Sequence, residues 1–224
     1  MMMIIKEWIT DRLILKLSTE DDIKYLAPML LDENVTMYLC EHITKIPTIE
    51  IAESFLSSII NYYQLVFTIR IKETNEIIGQ IGYCDDSGQL SISYWLGTKY
   101  QRKGYASEAA VELSYYVFIN SRYDTFSISF HSKNIGSRKL AYKIGELMLE
   151  RNPKWIVKDK EDQITECEIL DLNDDYITIR MKIINDTKTS YLSCKKNFIP
   201  EKYLKSGKKY TEILRYFDIS KNGN

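Results

Sequence analysis

A strand-like segment that runs into a short cationic loop and then into a helix is the feature that most constrains this chain. The segment spans residues 94–118 and reads YWLGTKYQRKGYASEAAVELSYYVF, with Gly104 at the junction. A loop that leads straight into a helix presents unpaired backbone N–H groups at the positive end of the helix dipole. The junction therefore predicts a site for a phosphate or pyrophosphate group, although a plain turn with solvated basic side chains would have the same sequence.

Hydrophobic periodicity on either side of this junction predicts an α/β chain. Polar and apolar residues alternate in RLILKL at 12–17, which indicates a strand, and Ser18 or Thr19 caps the helix that follows. A second helix is predicted from Thr48 to about Tyr63. The other predicted elements are a hairpin of LVFTIRI and EIIGQIGYC, the strands QLSISYWLG and TFSISF, the helix NIGSRKLAYKIG and a last strand near 176–183.

Composition and cysteine spacing exclude several classes of protein. The chain of 224 residues has 30 basic and 31 acidic residues, so its net charge gives no reason to expect nucleic acid as a partner. The cysteines are too far apart for a zinc site or a disulfide framework, and we expect free thiols at Cys40, Cys84, Cys167 and Cys194. No signal-peptide pattern and no apolar run of about 18 residues is present, so we expect a cytoplasmic protein without a membrane partner.

Four segments carry a resemblance to a known family. No GxGxxG follows a strand and no glycine-rich loop ends in GKS or GKT, which excludes two common nucleotide-binding loops. Instead, TDRLILKLSTEDDIKYL, EIIGQIGY, ISYWLGTKYQRKGYASEA and NIGSRKLAYKIG follow the order and approximate spacing of the GNAT superfamily of acetyl-CoA-dependent N-acetyltransferases. The chain resembles the RimJ/RimL type, the ribosomal-protein N-terminal acetyltransferases, over about residues 8–184.

The resemblance implies a fold and a co-substrate. The fold is α/β (α+β), the acyl-CoA N-acyltransferase fold, with a mixed, mostly antiparallel sheet flanked by helices. We expect the sheet to open between the strands at 90–97 and 125–130. The co-substrate is acetyl-CoA, and no metal is expected.

Residue by residue, the resemblance implies an acetyl-CoA site. The pyrophosphate loop and the first helical turn would be Gln101, Arg102, Lys103, Gly104, Tyr105, Ala106 and Ser107. Their backbone N–H groups, from residue 102 to residue 107, would bind the phosphates. The strand that pairs with the pantetheine arm would be Tyr94, Trp95, Leu96 and Gly97. The family's N-x-x-S falls on Asn134 and Ser137, and Asn134 is expected to bond the pantetheine amide and to cap its own helix.

The sequence departs from the family pattern at several positions. Arg102 stands where relatives often have glycine, and Glu146 follows Gly145 where the family's helix usually ends in Gly-Phe. Many relatives have a tyrosine at the position of Ala141, four residues before that glycine. On a helix with about 100° per residue, Tyr142 lies about 140° from Ser137, so both cannot face one sulfur atom. We therefore expect Ser137 to be the catalytic partner of the departing thiolate.

The general base is less constrained by the sequence. His131, at the end of a strand, is our catalytic candidate because its side chain titrates near neutral pH. Glu41 and His42 lie in a loop where this family builds its acceptor pocket, and a chain of water molecules could replace a single base. The acceptor itself cannot be named, because that pocket is expected from the loops near 34–47 and 152–174.

The last forty residues predict a basic, amphipathic extension. Residues 185–224 hold nine Lys or Arg and four Asp or Glu. After Pro200, apolar residues recur with helical spacing, at Tyr203, Leu204, Tyr210, Ile213, Leu214 and Phe217. We expect a GNAT domain over 1–184 and, over 185–224, a helical extension that docks on the domain or on a second copy of the chain. An acidic partner such as ribosomal RNA is a weaker alternative.

Two classes of function stay open at this level. One is an enzyme that acetylates a primary amine, either a protein N-terminus or a small molecule such as an aminoglycoside or polyamine. The other is a catalytically weak GNAT-like domain that binds acyl-CoA as a sensor or interaction module. The missing helix tyrosine and the uncertain base keep the second class open.

Overall fold

A ten-stranded mixed sheet flanked by five helices forms the described part of the chain. The computed structural model describes residues 5–39, 48–62, 65–86, 88–172, 176–183, 189–195 and 209–221. The strands are β1 Glu7–Ile9, β2 Leu13–Leu17, β3 Leu65–Ile71, β4 Ile77–Asp86, β5 Gln89–Leu96, β6 Thr125–His131, β7 Ile156–Leu172, β8 Tyr176–Ile183, β9 Thr189–Lys195 and β10 Lys209–Ser220. The helices are α1 Glu20–Leu26, α2 Glu33–Thr36, α3 Ile49–Tyr62, α4 Tyr105–Ile119 and α5 Ile135–Arg151, with 3₁₀ turns at Ala27–Leu31 and Thr98–Tyr100.

The strand order explains where the sheet opens. The order is β1-β2-β3-β4-β5-β6-β10-β7-β8-β9, and every neighbouring pair is antiparallel except β5 with β6. The parallel pair is joined only by Leu90 with Phe126 and Ser91 with Ser127. Beyond those residues the two strands separate. The predicted mixed, mostly antiparallel sheet and its opening at this place are both confirmed.

The two faces of the sheet are covered by different helices. On one face, α4 and α5 pack against the strands in the larger core, where Phe67, Ile81, Leu113 and Ile144 are fully buried. On the other face, α1, α2 and α3 enclose a smaller core that includes Leu26, Leu56 and Trp95. Each fully buried Leu, Ile or Phe side chain stabilises the fold by about 1.5–3 kcal/mol.

A buried ion pair ties α1 to the sheet. The Asp22 carboxylate, 5% exposed, accepts hydrogen bonds from the Thr19 N–H and the Thr68 hydroxyl, each at 3.0 Å. It also pairs with the Arg70 guanidinium at 2.5 Å. Because the carboxylate of a buried Asp needs several donors, this cluster fixes the start of α1 over β3. Thr19 is the N-cap of α1, as predicted.

The predicted C-terminal helix is wrong for the residues that the structure describes. The backbone of Lys209–Ser220 is strand β10, which pairs antiparallel with β6 on one side and β7 on the other. The three- and four-residue spacing of Tyr210, Ile213, Leu214 and Phe217 fits a helix, but two flanking strands satisfy this backbone in an extended form. Short apolar runs do not distinguish the two states by period alone. Tyr203 and Leu204 lie outside the described residues.

Three further expectations about elements need correction. Residues 152–174 were expected to be a loop, but most of them form the long strand β7. Helix α5 passes through Gly145 and ends only at Arg151. The strand predicted near 176–183 is present as β8, yet β9 and β10 follow it. Since β10 lies inside the sheet, the segment that we separated at residue 184 supplies one of its inner strands.

Candidate functional site

The loop between β5 and α4 forms a concave array of backbone N–H groups. Arg102 and Gly104 have left-handed φ angles of 61° and 84°, and Lys103 between them does not. Alternation of this kind turns successive N–H groups to one side and makes an anion-binding nest. Among the described residues, the N–H groups of residues 102–107 make no hydrogen bond of good geometry. The first helical bond runs from Glu108 N to Gly104 O at 3.0 Å.

An ion pair from the N-terminal hairpin anchors this loop. The Glu108 carboxylate accepts hydrogen bonds from the Arg12 Nε at 2.6 Å, the Arg12 backbone N–H at 2.7 Å and the Thr10 hydroxyl at 2.7 Å. Arg12 also donates to the Lys103 carbonyl at 3.2 Å and stacks over the Tyr105 ring. Burial raises the pKa of Glu108, but these hydrogen bonds outweigh it and the net pKa is lowered. The carboxylate is therefore ionised at neutral pH and holds the loop against β2.

A second set of contacts holds the start of the loop. The side-chain amide of Gln101 donates to the Leu96 carbonyl at 3.0 Å, which closes the turn after β5. Tyr100, 5% exposed, donates its hydroxyl to the Glu76 carboxylate, and Lys99 pairs with the same carboxylate at 2.9 Å. The Tyr100 and Lys99 hydrogen bonds lower the pKa of Glu76. The loop is thus fixed at both ends, so its N–H groups are preorganised.

Strand β5 offers an unpaired edge beside this loop. Tyr94, Trp95 and Leu96 pair with β4, and β6 has already turned away after Ser91. An extended ligand can add to such an edge as a further strand. The Gly97 N–H donates to the Ile78 carbonyl of β4 at 3.0 Å, so this N–H is not available to a ligand at the opening. Because side chains alternate along a strand, Trp95 points into the smaller core and only its backbone lies at the opening.

Helix α5 begins at the opposite side of the opening. The Asn134 side-chain oxygen accepts a hydrogen bond from the Ser137 N–H at 3.1 Å, so the predicted cap is confirmed. The cap uses only the oxygen of the carboxamide, so the –NH₂ group is not needed for the cap. Ala141 is fully buried, whereas Tyr142 is 39% exposed. The two residues therefore face different ways, as the helical angles predict.

The Ser137 side chain lies beside a buried phenol. Burial raises the pKa of Tyr94 to about 12, and the nearby Ser137 hydroxyl opposes that rise. Nevertheless the phenol oxygen of Tyr94 is shielded from solvent and completes no hydrogen bond of good geometry. The two hydroxyl groups are thus neighbours across the opening without a formed bond. The sequence alone did not indicate this pair.

His131 is the last residue of β6, beside the opening between β5 and β6. Its ring lies 5.6 Å from the Tyr38 ring, which brings the segment after α2 against the opening. Its Nδ1 accepts a hydrogen bond from the Lys133 N–H at 3.2 Å. In the neutral ring the proton is then on Nε2, which is a donor and not a base in this tautomer. Glu41 and His42 lie outside the described residues.

The described ranges contain neither a metal-binding cluster nor a helix that could span a membrane. No group of three or more His, Cys, Asp or Glu residues there could hold a metal ion. No helix in the same ranges is long and apolar enough to cross a bilayer.

Comparisons with known proteins agree with this geometry. The model of the acetyltransferase (GNAT) domain family matches residues 12–146, more than half of the chain. An uncharacterized N-acetyltransferase p20 of Bacillus licheniformis is 31% identical over 139 residues, which are 58% of this chain and 76% of that protein. A GNAT-family acetyltransferase from Bacillus anthracis has a TM-score of 0.61 at 15% identity, covering 96% of this chain and 98% of that one.

One of the similar solved structures contains coenzyme A. RimL, the ribosomal L7/L12 alpha-N-protein acetyltransferase in complex with coenzyme A, has a TM-score of 0.53 at 14% identity, with 83% of this chain and 94% of that chain covered. At this identity the likeness concerns the fold. The family match supports the same fold. The chain therefore belongs to the GNAT acetyltransferase family and is an acetyl-CoA-dependent N-acetyltransferase.

Proposed function

We propose that the enzyme acetylates a primary amine presented at the opening between β5 and β6, on a protein N-terminus or on a small molecule. One observation carries the proposal. The unpaired edge of β5 leads directly to the unbonded N–H groups of residues 102–107, so one extended ligand with a pyrophosphate can occupy both. A cytoplasmic location is part of the proposal and rests on the scattered cysteines of the sequence.

The parts of acetyl-CoA have distinct partners in this proposal. The pyrophosphate binds the N–H nest, with the exposed side chains of Arg102 and Lys103 at its rim. The pantetheine arm pairs with the backbone of Tyr94–Leu96, and the Asn134 carboxamide donates to one of its carbonyl groups. This arrangement directs the thioester toward the N-terminus of α5, where Ser137 lies.

The chemistry is direct acyl transfer. The neutral amine nitrogen attacks the thioester carbonyl carbon, a C–N bond forms, and the C–S bond breaks with its electron pair on sulfur. Ser137 donates a hydrogen bond to the departing thiolate. The amine loses one proton and the thiolate gains one. Because Nδ1 of His131 is occupied, we assign the first proton transfer to a water molecule held by the Nε2–H of His131.

The proposal leaves two kinds of acceptor, a protein N-terminus and a small-molecule amine. RimL acts on a ribosomal protein, and the fold shared with it supports a protein N-terminus as one candidate here. A small-molecule amine is the other candidate. The test is to incubate the purified full chain with acetyl-CoA and follow both thiol release and the acetylated product. The panel contains peptides with free N-termini, the same peptides blocked at the N-terminus, an aminoglycoside and a polyamine.

The expected result is acetylation of one amine class with one thiol released per amide formed. Blocked peptides without lysine are the matched control for a protein N-terminus. A Gly104→Val variant is the control for non-enzymatic acetylation, because it removes the nest. If acetyl-CoA binds but no amine is acetylated faster than with Gly104→Val, the chain acts as an acyl-CoA-binding module and the proposed acceptor chemistry is wrong.

A further inference from the structure

One buried hydroxyl at the opening has no partner. Tyr94 lies on β5, three residues beyond the last residue that pairs with β6. Its phenol oxygen is buried and makes no hydrogen bond. Burying a hydroxyl without a partner costs free energy, and native structures rarely keep such a group without a reason. The position suggests that the phenol acquires its partner during the reaction.

Ser137 is placed to be that partner. Its backbone N–H is bonded to Asn134, which fixes the first turn of α5. Its hydroxyl is the group that opposes the effect of burial on the pKa of Tyr94. A serine hydroxyl can accept one hydrogen bond while it donates another. It can therefore stand between the phenol of Tyr94 and a third atom in the opening.

We propose that Tyr94 is a positioning residue, whose phenol donates its hydrogen to Ser137 Oγ so that the proton of Ser137 points at the departing sulfur. This inference rests on the proposed role of Ser137. No proton leaves Tyr94, because a phenol with a pKa of about 12 stays protonated at neutral pH. The C–S electron pair goes to sulfur, and the proton that the sulfur gains balances the one that the amine loses.

A second tyrosine and serine pair in the same core provides a contrast. The phenol of Tyr83 on β4 and the hydroxyl of Ser114 on α4 are hydrogen bonded at 3.0 Å, and both residues are fully buried. There the two hydroxyl groups satisfy each other. The pair of Tyr94 and Ser137 differs because it borders the opening and is left incomplete. Tyr83→Phe is therefore the matched control for loss of a buried phenol.

The test uses free coenzyme A, which needs no acceptor. Its affinity for the full chain is measured by calorimetry between pH 7 and pH 10, with acetyl-CoA as the thioester without an ionisable thiol. If the site stabilises a thiolate, the pKa of the bound thiol is lowered and the affinity for coenzyme A rises with pH, while that for acetyl-CoA does not. A free cysteine thiol ionises near pH ~8.5, so this range covers the transition.

The variants then separate the two hydroxyl groups. We expect the affinity of Ser137→Ala for coenzyme A not to rise with pH. In Tyr94→Phe, the gain in affinity between pH 7 and pH 10 should be about tenfold smaller than in the wild type, as for loss of one hydrogen bond. In the Ser137→Ala background, Tyr94→Phe should have no further effect. Tyr83→Phe should leave the rise intact. Tyr83→Phe should leave the affinity for acetyl-CoA within about twofold, and in the Ser137 and Tyr94 variants the affinity for acetyl-CoA should not depend on pH in this range.

Three results would overturn the inference. One is an equal loss of affinity for both ligands at every pH in Tyr94→Phe, which would make the phenol part of the pocket wall. Another is an undiminished effect of Tyr94→Phe when Ser137 is absent. The third is a wild-type affinity for coenzyme A that does not change with pH, which would remove Ser137 from the sulfur. Formation of the amide product, measured separately, would still decide the proposed acetylation.

Discussion

Gly104 and Arg102 share a left-handed backbone but differ in what they tolerate. At φ of 84°, a β-branched side chain at position 104 is strained, and a Cβ there would lie 3.3 Å from Arg12 Nη2. We expect Gly104→Val to weaken acetyl-CoA binding by ~100-fold or more, because both the nest and the Arg12 anchor are displaced. Arg102→Gly removes a side chain from φ of 61° and should leave binding within a fewfold.

Calorimetric titration with acetyl-CoA checks this prediction, and thermal unfolding verifies that each variant is folded. Lys103→Ala is the matched control for charge, since Lys103 is exposed and its side chain should contribute about threefold or less. Comparable losses in Lys103→Ala and Gly104→Val would show that cations, and not backbone N–H groups, bind the phosphates.

Glu108 predicts a pH dependence of binding. Its pKa is lowered in the folded protein, so its contribution is present above the unfolded pKa and is lost as pH falls through the folded pKa. We expect the affinity for acetyl-CoA to be steady near neutral pH and to fall in acid, as Glu108 is protonated and releases Arg12. Glu108→Gln should lower the affinity about threefold at pH 7, because the pair is partly exposed.

Glu108→Gln also tests whether Glu108 is the group whose protonation lowers the affinity in acid. In Glu108→Gln the affinity measured by calorimetry should depend less on pH in the acidic range than in the wild type. A variant whose pH dependence matches the wild type would place the titrating group elsewhere.

The sequence motifs indicated some residues of the candidate site but not others. The order of motifs indicated Gly104, Asn134 and Ser137 as candidates, because each belongs to a short local pattern, and their functional roles stay predictions. The pair of Arg12 and Glu108 was missed, since its residues are 96 positions apart and only the packing of β2 on α4 joins them. The neighbouring hydroxyl groups of Tyr94 and Ser137 were missed for the same reason.

At the scale of elements, the N-cap residue of α5, Asn134, combines a structural role with a proposed binding role. Asn134 Oδ1 caps the helix, and its –NH₂ group is free for the pantetheine amide in the proposed site. Asn134→Asp keeps the cap acceptor and loses the donor, whereas Asn134→Ala loses both. We expect Asn134→Ala to lower the free energy of unfolding by about 1 kcal/mol and Asn134→Asp to lower it by less.

We expect Asn134→Ala and Asn134→Asp to differ in the free energy of unfolding but not in affinity for acetyl-CoA. Both variants should bind acetyl-CoA more weakly than the wild type, by about tenfold for one lost hydrogen bond. Chemical denaturation and calorimetry give the two quantities. Full retention of affinity in Asn134→Asp would mean that the side chain of Asn134 only caps the helix.

Element type followed from the sequence where the pattern was local. Helices α3, α4 and α5 and the β3–β4 hairpin were predicted, because amphipathic spacing and turn residues suffice for them. Strand β10 was mistaken for a helix. Its partners lie far earlier in the chain, from 41 residues for Lys209 with Glu168 of β7 to 95 residues for Ser220 with Thr125 of β6, and their hydrogen bonds decide its conformation.

At the scale of the whole molecule, β10 joins the two halves of the sheet. It lies between β6, which borders the acetyl-CoA opening, and β7, which leads to β8 and β9. Ile219 of β10 is fully buried in the larger core, and Asp218 accepts a hydrogen bond from Ser127 of β6 at 2.7 Å. The geometry of the opening therefore depends on residues that come last in the sequence. A chain cut at residue 184 would lack this strand.

The last prediction compares that cut with a point substitution. Ile219→Ala should lower the free energy of unfolding by about 2–5 kcal/mol, because it leaves a cavity in the core. Ile156→Ala removes the same atoms from the neighbouring strand β7, where Ile156 is 37% exposed, and should cost less than about 1 kcal/mol. A chain of residues 1–184 should neither unfold cooperatively in denaturant nor bind acetyl-CoA. If that chain does both as well as the full chain, the domain ends at residue 184 and β10 is an accessory strand.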